Sequence, residues 1–331
     1  MENLSKEFEN LELSTQILIQ AAVQRNIKVE ILDEKDNFIR LIKENKKEYI
    51  KQATRTSADH YIAPLIMENK VLTKNLLNEQ GIRVPSGRIY NKIDQALNDY
   101  PELKNNALVI KPNDANYGLG VSILQPGFSE KEYRFALKTA SNFSEQIITE
   151  EFIIGKEYRF LVIGKQVIAV LHRIPANVIG NGTDTISELI RQKNKDPRRG
   201  LGYKKPLEKI RMTKIEKDYL LSQAMTPDTI PERDEIVFLR KNSNISTGGD
   251  SIDFTDQISL EYKEIAAKAA SVVGAKICGV DMIINDLKIP PSGNNYGIIE
   301  LNYNPAIHIH TYPWKGSNRR PADEILNLLG F

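Results

Sequence analysis

Two apolar segments near the C-terminus each contain one carboxylate, and no other feature of the chain constrains its fold as strongly. Asp281 interrupts the segment GVDMII at 279–284, and Glu300 interrupts the segment IIELN at 298–302. Because alternate side chains of a strand share a face, Glu300 and Asn302 are expected on one face and their apolar neighbours on the other. A carboxylate in an otherwise buried strand needs a cation or another partner. The two segments therefore predict strands that hold a charged site.

The side chains of Asp281, Glu300 and Asn302 together predict a metal site. Two carboxylates and an amide oxygen are hard oxygen ligands, the kind that hold Mg²⁺ between nucleotide phosphates. The alternative is that the acidic residues cover a solvent face, which their apolar neighbours disfavour. We therefore predict that all three residues bind the metal.

A lysine at the end of an apolar segment is the second feature. Lys111 lies in the segment VIKP at 109–112, and a loop with two glycines, NYGLG at 116–120, follows it. An ammonium group at the mouth of a site can meet phosphate oxygens, and glycines let backbone N–H groups approach an anion. A simple hairpin turn is the alternative. The segment matches neither G-x-x-x-x-G-K-[ST] nor G-x-G-x-x-G, which disfavours a P-loop ATPase and a dinucleotide-binding fold.

The segment TEEFIIGKEYR at 149–159 is the third feature. Its apolar residues could line a pocket for a base, and the carboxylate of Glu150 or Glu157 could accept a hydrogen bond from an amine or a ribose hydroxyl. An ordinary hairpin would have the same pattern. Both readings stay open.

Composition excludes several classes of protein. The 331 residues correspond to about two domains or one large α/β unit. Hydrophobic residues make up 41% and charged residues 27%, and the net charge of +2 does not favour nucleic acid or an anionic membrane as a partner. No apolar run approaches the roughly 18 residues of a membrane-spanning helix, and the acidic, polar start is not typical of a signal peptide. The single cysteine, Cys278, excludes an intramolecular disulfide and favours a reducing, cytoplasmic compartment.

The order of predicted elements is that of a mixed α/β and α+β protein without internal repeats. Ser14 is expected to cap a first helix, and a second helix is expected at 64–79, ending before Gly81. Strands are expected at 28–32, 38–42, 48–51, 107–112, 121–124, 146–152, 157–163, 167–174, 276–284 and 296–302, and further helices at 93–99, 130–140, 260–273 and 322–329.

Other features allow a functional and a structural reading. The basic segment 193–214 has nine Lys and Arg residues against two acidic ones, and we expect a solvated loop, with a lid that meets an anionic substrate as the alternative. His308 and His310 could bind zinc if they share one strand face, but the sequence offers no third ligand at a suitable spacing. Tyr312 and Trp314 are expected to pack, and Cys278 is expected to be inert core.

The order of these motifs resembles the ATP-grasp ligases over nearly the whole chain. The resemblance rests on Lys70, Lys111-Pro112, the 118–120 loop, the 150–157 segment, Asp281 and Glu300-x-Asn302. The segments 172–180, 196–200 and 242–250 are similar to the glutathione synthetase module of bacterial bifunctional γ-glutamylcysteine synthetase–glutathione synthetases, and to the ATP-grasp part of cyanophycin synthetases. The segments 278–281 and 300–310 look closer to the glutathione enzymes.

This resemblance implies an ATP-grasp fold, in which two α+β lobes hold ATP, with a short N-terminal α/β module. The implied boundaries are 1–68 for the module, 69–155 for the small lobe, and 156–331 for the large lobe with its basic lid loop at 193–214. Nucleotide contacts are expected from Lys70, Lys111, Gly118, Leu119, Gly120, Glu150, Glu151, Ile153 and Glu157. Substrate contacts are expected from Arg159, Asn242, Asn244, Ser246, Thr247, Gly248 and His308. Arg240, Arg173 and Asn302 are expected to be catalytic, the two arginines because guanidinium groups grip carboxylates and phosphates bidentately.

The implied reaction joins a carboxylate to an amine with ATP and Mg²⁺ or Mn²⁺, through an acylphosphate. Glutathione synthesis from γ-glutamylcysteine and glycine is the preferred reading. A cyanophycin-synthetase-like ligase, or a nucleotide-binding module without turnover, is the alternative. In the bifunctional enzymes the module follows a large γ-glutamylcysteine synthetase domain, whereas here it starts almost at residue 1. We therefore expect an excised module or a free-standing relative supplied by a separate enzyme. We expect a homodimer with no nucleic-acid or membrane partner.

Overall fold

The computed structural model describes residues 5–114 and 118–331. The first group of elements, which we name the N-terminal module, combines a helix with a three-stranded sheet. In chain order these elements are a 3₁₀ turn at Lys6–Phe8, α1 at Leu13–Gln24, β1 at Lys28–Asp33, β2 at Phe38–Lys43 and β3 at Lys46–Lys51. The strands are antiparallel, in the order β1-β2-β3.

The second group of elements includes a four-stranded antiparallel sheet, which we name the small sheet. In chain order the elements of this group are α2 at Ile62–Glu68, α3 at Lys70–Glu79, β4 at Gly87–Tyr90, α4 at Ile93–Asn98, α5 at Tyr100–Leu103, β5 at Leu108–Pro112, β6 at Ser122–Leu124, α6 at Glu130–Ser141 and β7 at Ile147–Glu151. The strand order is β4-β7-β5-β6, and α6 contributes the buried side chains of Tyr133 and Leu137 to the core on this sheet. Ser129 and Glu132 form a capping box that begins α6.

The third group starts with a long hairpin and continues into residues 175–249, which we name the insert. The elements are β8 at Lys156–Ile163, β9 at Gln166–Ile174, β10 at Asn177–Ile179, α7 at Ile186–Lys193, β11 at Arg199–Gly200, β12 at Leu207–Glu208, α8 at Lys214–Leu221, β13 at Ile236–Phe238 and a 3₁₀ turn at Ile245–Thr247. The insert has a small core of its own, which includes Val178, Ile190, Leu220 and Val237.

The last group completes a five-stranded antiparallel sheet, named the large sheet. Its elements are β14 at Asp250–Asp253, α9 at Leu260–Val272, β15 at Ile277–Ile284, a 3₁₀ turn at Gly293–Asn295, β16 at Tyr296–Asn302, α10 at His308–Thr311 and α11 at Pro321–Leu328. The strand order is β14-β9-β8-β15-β16, so β8 and β15 are interior strands. No helix among the described residues is both long and apolar enough to cross a bilayer.

The two faces of the large sheet have different neighbours, because side chains alternate along each strand. Phe160, Val162 and Val280 face a core that α2, α3 and α9 complete. On the opposite face, Leu161 and Ile277 lie in a core shared with α1, the N-terminal module and α11. Farther along the same strands that second face becomes polar. The strands therefore run from a covered apolar region into a charged region on one face.

The predicted fold class and all ten predicted strands are confirmed, with strand ends within two residues of the prediction. The single helix predicted at 64–79 is wrong, because Asn69 has an extended backbone and separates α2 from α3. Its side-chain oxygen accepts a hydrogen bond of 3.0 Å from the Leu72 N–H, so Asn69 caps α3. The predicted cap at Ser14 is also wrong, since α1 begins at Leu13 and Ser14 is buried inside it.

The insert differs in detail from the expectations. β4 and the strands β10 to β14 were not predicted, and the basic segment 193–214 contains the end of α7, both short strands β11 and β12, and the start of α8 rather than a bare loop. Lys193 and the buried Arg199 both pair with Asp250, and the Arg198 guanidinium lies 4.2 Å from the centroid of the Trp314 ring. The domain boundaries at 68 and 155 stay predictions.

The shared apolar core predicts that the N-terminal module and the large sheet unfold together. Leu18 on α1 is 0% exposed in that core, so Leu18→Ala is expected to lower the free energy of unfolding by about 2–5 kcal/mol. Val23→Ala on the same helix is the control, because Val23 is 51% exposed. Urea unfolding followed by circular dichroism and tryptophan fluorescence measures both. Two separate transitions in Leu18→Ala would contradict a shared core.

Candidate active site

A cleft of about 1380 Å³ lies where the large sheet, the small sheet, the insert and the N-terminal module meet. Most of the predicted site residues line it. These are Lys70, Lys111, Gly118, Glu150, Glu151, Ile153, Glu157, Arg159, Arg173, Arg240, Asn242, Asn244, Ser246, Asp281, Glu300, Asn302 and His308. Leu119, Gly120, Thr247 and Gly248 do not belong to its lining. Residues 116 and 117 of the predicted glycine loop lie outside the described residues.

Asp281 is at the centre of the polar half of the large sheet. It is opposite Arg159 on β8 and Glu300 on β16. Its carboxylate accepts hydrogen bonds from Arg159 Nε and, at 2.6 Å, from Arg159 Nη2. A third bond of 3.1 Å comes from Arg173 Nη2, and a fourth of 3.3 Å from Asn302 Nδ2. Arg159, a predicted substrate contact, and Arg173, a predicted catalytic residue, therefore both bind Asp281, a predicted metal ligand.

The two guanidinium groups keep Asp281 ionised although its side chain is only 1% exposed. Burial opposes the charge of the carboxylate, but the attraction of Arg159 and then of Arg173 outweighs it, and the pKa of Asp281 is lowered. Gly279, on the same face of β15, leaves room for Arg159, because an added Cβ would be 3.1 Å from Arg159 Cδ. The sequence therefore positions this buried ion pair from three neighbouring strands.

The donor set of Asp281, Glu300 and Asn302 fits a hard divalent cation in its chemistry, since it offers only oxygen ligands. Within the described part of the chain, no three His, Cys, Asp or Glu side chains form a group that could hold a metal, so the site depends on the amide oxygen of Asn302. Glu300 is 3.6 Å from Lys70 Nζ, and Asp281 is held by two arginines. Such a cationic surrounding favours a cation that arrives together with an anionic ligand.

Lys111 and Lys74 share one buried carboxylate. Lys111 Nζ is 2.5 Å from one oxygen of Glu150, and Lys74 Nζ is bonded to the other. Glu150 is 4% exposed, and although burial opposes its charge, the two lysines lower its pKa. Glu150 is thus the counter-ion of two lysines in this structure, whereas its sequence motif predicted a place near a base or a ribose.

Lys74 was missed by the sequence analysis. It lies one helical turn after Lys70 on α3, and that spacing of four residues on one helix face was the available signal. Burial, and then the positive charge of Lys111, lower the pKa of Lys74 to about 8. Because α3 packs on the large sheet whereas Lys111 and Glu150 belong to the small sheet, this cluster joins the two sheets across the cleft.

The other predicted nucleotide residues also have partners within the protein. Glu151 accepts a hydrogen bond of 2.8 Å from Arg83 Nη1 and one of 2.9 Å from the Ser86 N–H. Glu157 accepts from Arg173 and from the Ser243 hydroxyl. Ile153 lies against β16, where a Cβ on Gly297 would meet it. These contacts fix the side chains along one wall of the cleft.

The loop 240–248 also lines the cleft and approaches the glycine loop. Arg240 Nε donates to Glu216, which also closes the capping box that begins α8. Gly118 has a φ of +73°, and a Cβ there would be 2.8 Å from Asn242 Nδ2. The two loops therefore nearly touch, and a side chain at position 118 would displace the Asn242 amide group.

Gly120, Thr247 and Gly248, which lie outside the cleft lining, contact other parts of the protein. A Cβ on Gly120 would meet Phe143 at 2.8 Å, and one on Gly248 would meet Ile210 at 2.8 Å. The Thr247 hydroxyl donates to the Asn244 carbonyl oxygen at 2.8 Å. These contacts shape the two loops.

The two histidines lie on the short helix α10 and not on a strand. The shared strand face that a zinc site would have needed is therefore absent. His308 Nδ1 is 2.8 Å from the Ser14 hydroxyl, which joins α10 to α1 at the cleft wall. Both rings are buried, and neither nitrogen of His310 has a hydrogen-bond partner among the described residues. Burial lowers the pKa of His308 to about 4 and that of His310 to about 3.

Taken together, the cleft presents cations from both of its sides. Lys111 belongs to the small sheet, Lys70 to α3, and Arg173 and Arg159 to the large sheet. A polyanion between these elements would be held by point charges and by planar guanidinium groups. The site can thus bind and orient phosphates and carboxylates, and no Ser-His-Asp or Cys-His arrangement was identified in the sequence.

Comparisons with known proteins identify the fold. A model of an ATP-grasp-like domain matches residues 9–62, and a model of a RimK-like ATP-grasp domain matches residues 67–182. A crystal structure of a bifunctional glutathione synthetase from Pasteurella multocida covers 97% of this chain with a TM-score of 0.75 and 43% identity, over 44% of that chain. An ATP-grasp fold implies the use of ATP and a divalent metal ion.

Curated relatives are similar over almost the whole chain. The glutathione biosynthesis bifunctional protein GshAB of Clostridium perfringens is 54% identical over 322 residues, which is 97% of this chain and 41% of the relative. The protein of the same name from Desulfotalea psychrophila is 46% identical, over the same shares of the two chains. The chain therefore spans about two fifths of the length of the curated relatives it matches.

Buried histidines predict a loss of stability in mild acid. The unfolded chain takes up protons at the ordinary histidine pKa of about 6.5, whereas the folded protein resists protonation until pH 4 or below. The unfolded state thus binds more protons in this window, so the free energy of unfolding falls as pH falls, by about 2 kcal/mol per histidine between pH 7 and pH 5.

Urea unfolding of His308→Asn and His310→Asn at pH 7 and pH 5 measures this loss. Each variant is expected to lose about 2 kcal/mol less than the wild type between the two pH values, because the proton uptake is removed. His60→Asn, at an exposed position, is the control and should follow the wild type. An unchanged pH dependence in both buried variants would contradict the assignment.

Lys74 predicts a pH-dependent affinity for ADP. As pH rises through about 8, Lys74 loses its charge, Glu150 then draws more strongly on Lys111, and the attraction of Lys111 for phosphate weakens. A change of roughly 1 kcal/mol corresponds to an affinity about fivefold lower at pH 9 than at pH 7. Calorimetry with Mg·ADP measures it.

Lys74→Arg is the matched variant, since a guanidinium group stays charged over this range. It is expected to bind Mg·ADP equally at both pH values, and Lys74→Met is expected to bind weakly at both. The same fivefold drop in Lys74→Arg would assign the pH dependence to another group.

Proposed function

Because this chain belongs to the ATP-grasp family, we propose that it is an ATP-dependent carboxylate–amine ligase that forms a peptide bond and releases ADP and phosphate. The observation that carries the proposal is the convergence of four cations from both sides of one cleft onto four carboxylates; the cations are Lys70, Lys111, Arg159 and Arg173. Such a cleft suits phosphoryl transfer, which depends on positioning and charge rather than on a protein nucleophile.

The proposed reaction has two steps. The carboxylate oxygen of the first substrate attacks the γ-phosphorus of ATP, the bond to the bridging oxygen breaks, and ADP leaves. The amine of the second substrate then attacks the carbonyl carbon of the acylphosphate, phosphate leaves with the bonding electrons, and the amine loses a proton. The product is an amide.

The residues of the cleft have proposed roles in these steps. Lys70 and Lys111 hold phosphate oxygens, and Arg173 and Arg240 hold the acylphosphate or the donor carboxylate. Asp281, Glu300 and Asn302 would hold the divalent cation, which offsets negative charge on the phosphates when it is bound. Asp281 also keeps Arg159 and Arg173 in position through its hydrogen bonds.

Glutathione synthesis from γ-glutamylcysteine and glycine is the proposed reaction, supported by the relatives named for glutathione biosynthesis. Mg²⁺ is the proposed cation, with Mn²⁺ as a substitute, because the ligands are hard oxygens. We also propose a homodimer, a cytoplasmic site of action, and a γ-glutamylcysteine-forming activity that is fused or separate. A cyanophycin-synthetase-like substrate pair remains an outcome of the test below.

The proposal predicts ADP release that needs both substrates. With Mg·ATP, γ-glutamylcysteine and glycine, ADP should appear together with a product of the mass of glutathione, and omission of either substrate should abolish the amide product. A coupled ADP assay and mass spectrometry measure the two. Turnover with another amino-acid pair alone would retain the ligase and reject glutathione. No turnover with any pair would reject the ligase.

Arg240 supplies the second readout of the same assay. Arg240→Met is expected to lower kcat about a hundredfold, because a donor to the developing charge is removed. Arg134→Gln is the control, since Arg134 is exposed on α6 and pairs with Glu130 on the same helix. Normal turnover of Arg240→Met at saturating substrates would exclude Arg240 from the chemistry.

A further inference from the structure

Among residues 5–114 and 118–331, three helices begin with a capping box, in which a Glu side chain accepts hydrogen bonds from the residue that caps its helix. The pairs are Ser129 with Glu132 on α6, Thr185 with Glu188 on α7, and Thr213 with Glu216 on α8. A capping box satisfies N–H groups at the start of a helix, and this does not require the Glu side chain to be buried. Glu132 is exposed and Glu188 is half-buried.

Glu216 differs from the other two because it is buried and has a second partner. Its side chain is 1% exposed, whereas that of Glu188 is 43% exposed. Its Oε2 atom accepts a hydrogen bond of 2.8 Å from the Thr213 N–H and another from the Thr213 hydroxyl. Its Oε1 atom accepts a hydrogen bond from Arg240 Nε. One carboxylate therefore joins the first turn of α8 to an arginine of the cleft.

The carboxylate of Glu216 keeps its charge in spite of its burial. Burial opposes ionisation, but the hydrogen bonds from Thr213 and then the bond from Arg240 outweigh it, so the pKa of Glu216 is lowered. Arg240 therefore faces a full negative charge at neutral pH. A charge-assisted hydrogen bond to one nitrogen atom fixes the plane of the guanidinium group.

The contact with Glu216 leaves the terminal nitrogen atoms of Arg240 for a ligand. A guanidinium group has five N–H donors, and Glu216 takes the one on Nε. In the part of the chain that the structure describes, Nη1 and Nη2 of Arg240 donate to no protein acceptor, and Arg240 lines the cleft. In Arg159 and Arg173, by contrast, one terminal nitrogen atom is already bonded to Asp281. The Nη edge of Arg240 can thus bind two oxygen atoms of a phosphate or carboxylate.

The core of the insert fixes the two members of this ion pair relative to each other. Leu220 on α8 and Val237 on β13 are buried in the same apolar cluster. Glu216 lies one helical turn before Leu220, and Arg240 follows β13 by two residues. The pair is therefore built on packed elements, which hold a functional side chain more firmly than a loop alone.

We propose that Glu216 is a positioning residue for the ligation reaction, which holds Arg240 by Nε so that its Nη edge meets the negative charge of the acylphosphate step. This role rests on the proposed ligase function, in which Arg240 holds the acylphosphate or the donor carboxylate. It adds a residue that is not part of the cleft lining and touches no substrate. A donor that is held in place before the reaction needs little reorganisation when the charge develops.

Glu216→Gln tests the role with little change of shape. A capping box accepts Gln as well as Glu, so the start of α8 is retained while Arg240 loses its anionic partner. In the ADP assay with γ-glutamylcysteine and glycine, kcat is expected to fall about tenfold, the loss that corresponds to one charge-assisted hydrogen bond. The KM for ATP should not change, because neither residue has a proposed role in nucleotide binding.

Glu188→Gln is the matched control. It makes the same replacement in the capping box of α7, in the same insert, but Glu188 has no partner in the cleft lining. Its kcat and KM values should equal those of the wild type. Circular dichroism melting checks that the variants are folded at the assay temperature. If Glu216→Gln is not folded there, Glu216→Asp takes its place, since it withdraws the charge from Arg240 by one methylene group.

A double-mutant cycle separates positioning from a structural role. In an Arg240→Met background, Glu216→Gln (or Glu216→Asp) is expected to cause no further loss of kcat, because Glu216 acts through Arg240 alone. A side chain that only stabilises α8 would lower kcat by the same factor in both backgrounds.

Several results would overturn the positioning role. A normal kcat of the Glu216 variant would show that Arg240 needs no anchor, and a further tenfold loss in the Arg240→Met background would assign Glu216 to the structure of α8. An equal loss in Glu188→Gln would assign the effect to helix capping. If the wild type turns over another substrate pair, glutathione is rejected and the same cycle decides with that pair. A wild type that turns over no pair loses the ligase and the positioning role together, and normal turnover of Arg240→Met removes the positioning role alone.

Discussion

The buried carboxylate of Asp281, held by Arg159 and Arg173, is the interaction on which the polar half of the large sheet depends. Its two arginine partners lie on β8 and β9, so the register of β8, β9 and β15 decides whether the charges meet. A shift of one residue in any of these strands would turn a charged side chain into the apolar core. Removal of Asp281 would leave the buried guanidinium of Arg159 without its ion-pair partner, which costs several kcal/mol.

The charges of the cleft also connect parts that have separate cores. α3 packs with α9 on the large sheet, whereas Glu150 and Lys111 belong to the small sheet. The ion pair of Lys74 with Glu150 therefore joins α3, which packs on the large sheet, to the small sheet. A bound polyphosphate would compete with Glu150 for the same lysines, so ligand binding and the relative position of the two sheets are linked.

Local patterns of apolar residues made the long strands predictable from the sequence. The features that were not predicted lack such a pattern. Alternating or continuous apolar residues place β8, β9, β15 and β16, and the carboxylates within them mark the site. Asn69 breaks a helix whose apolar spacing continues on both sides, because its side chain caps the next turn. Lys74 was missed because its ion pair is with Glu150, which is distant in sequence. The short strands of the insert were missed because they are stabilised by packing around Leu220 and Val237 rather than by their own pattern.

The charged region and the apolar region occupy one face of the same interior strands, and this continuity has a consequence for the energetics of the site. Amides of Arg159 and Asp281 lie in ladders that are paired on both sides, so their hydrogen exchange should require near-global unfolding. The charged groups and peptide dipoles of this region of the large sheet are therefore already oriented before a substrate arrives. A developing negative charge above it would therefore meet little reorganisation free energy, which is the condition for strong electrostatic preorganisation.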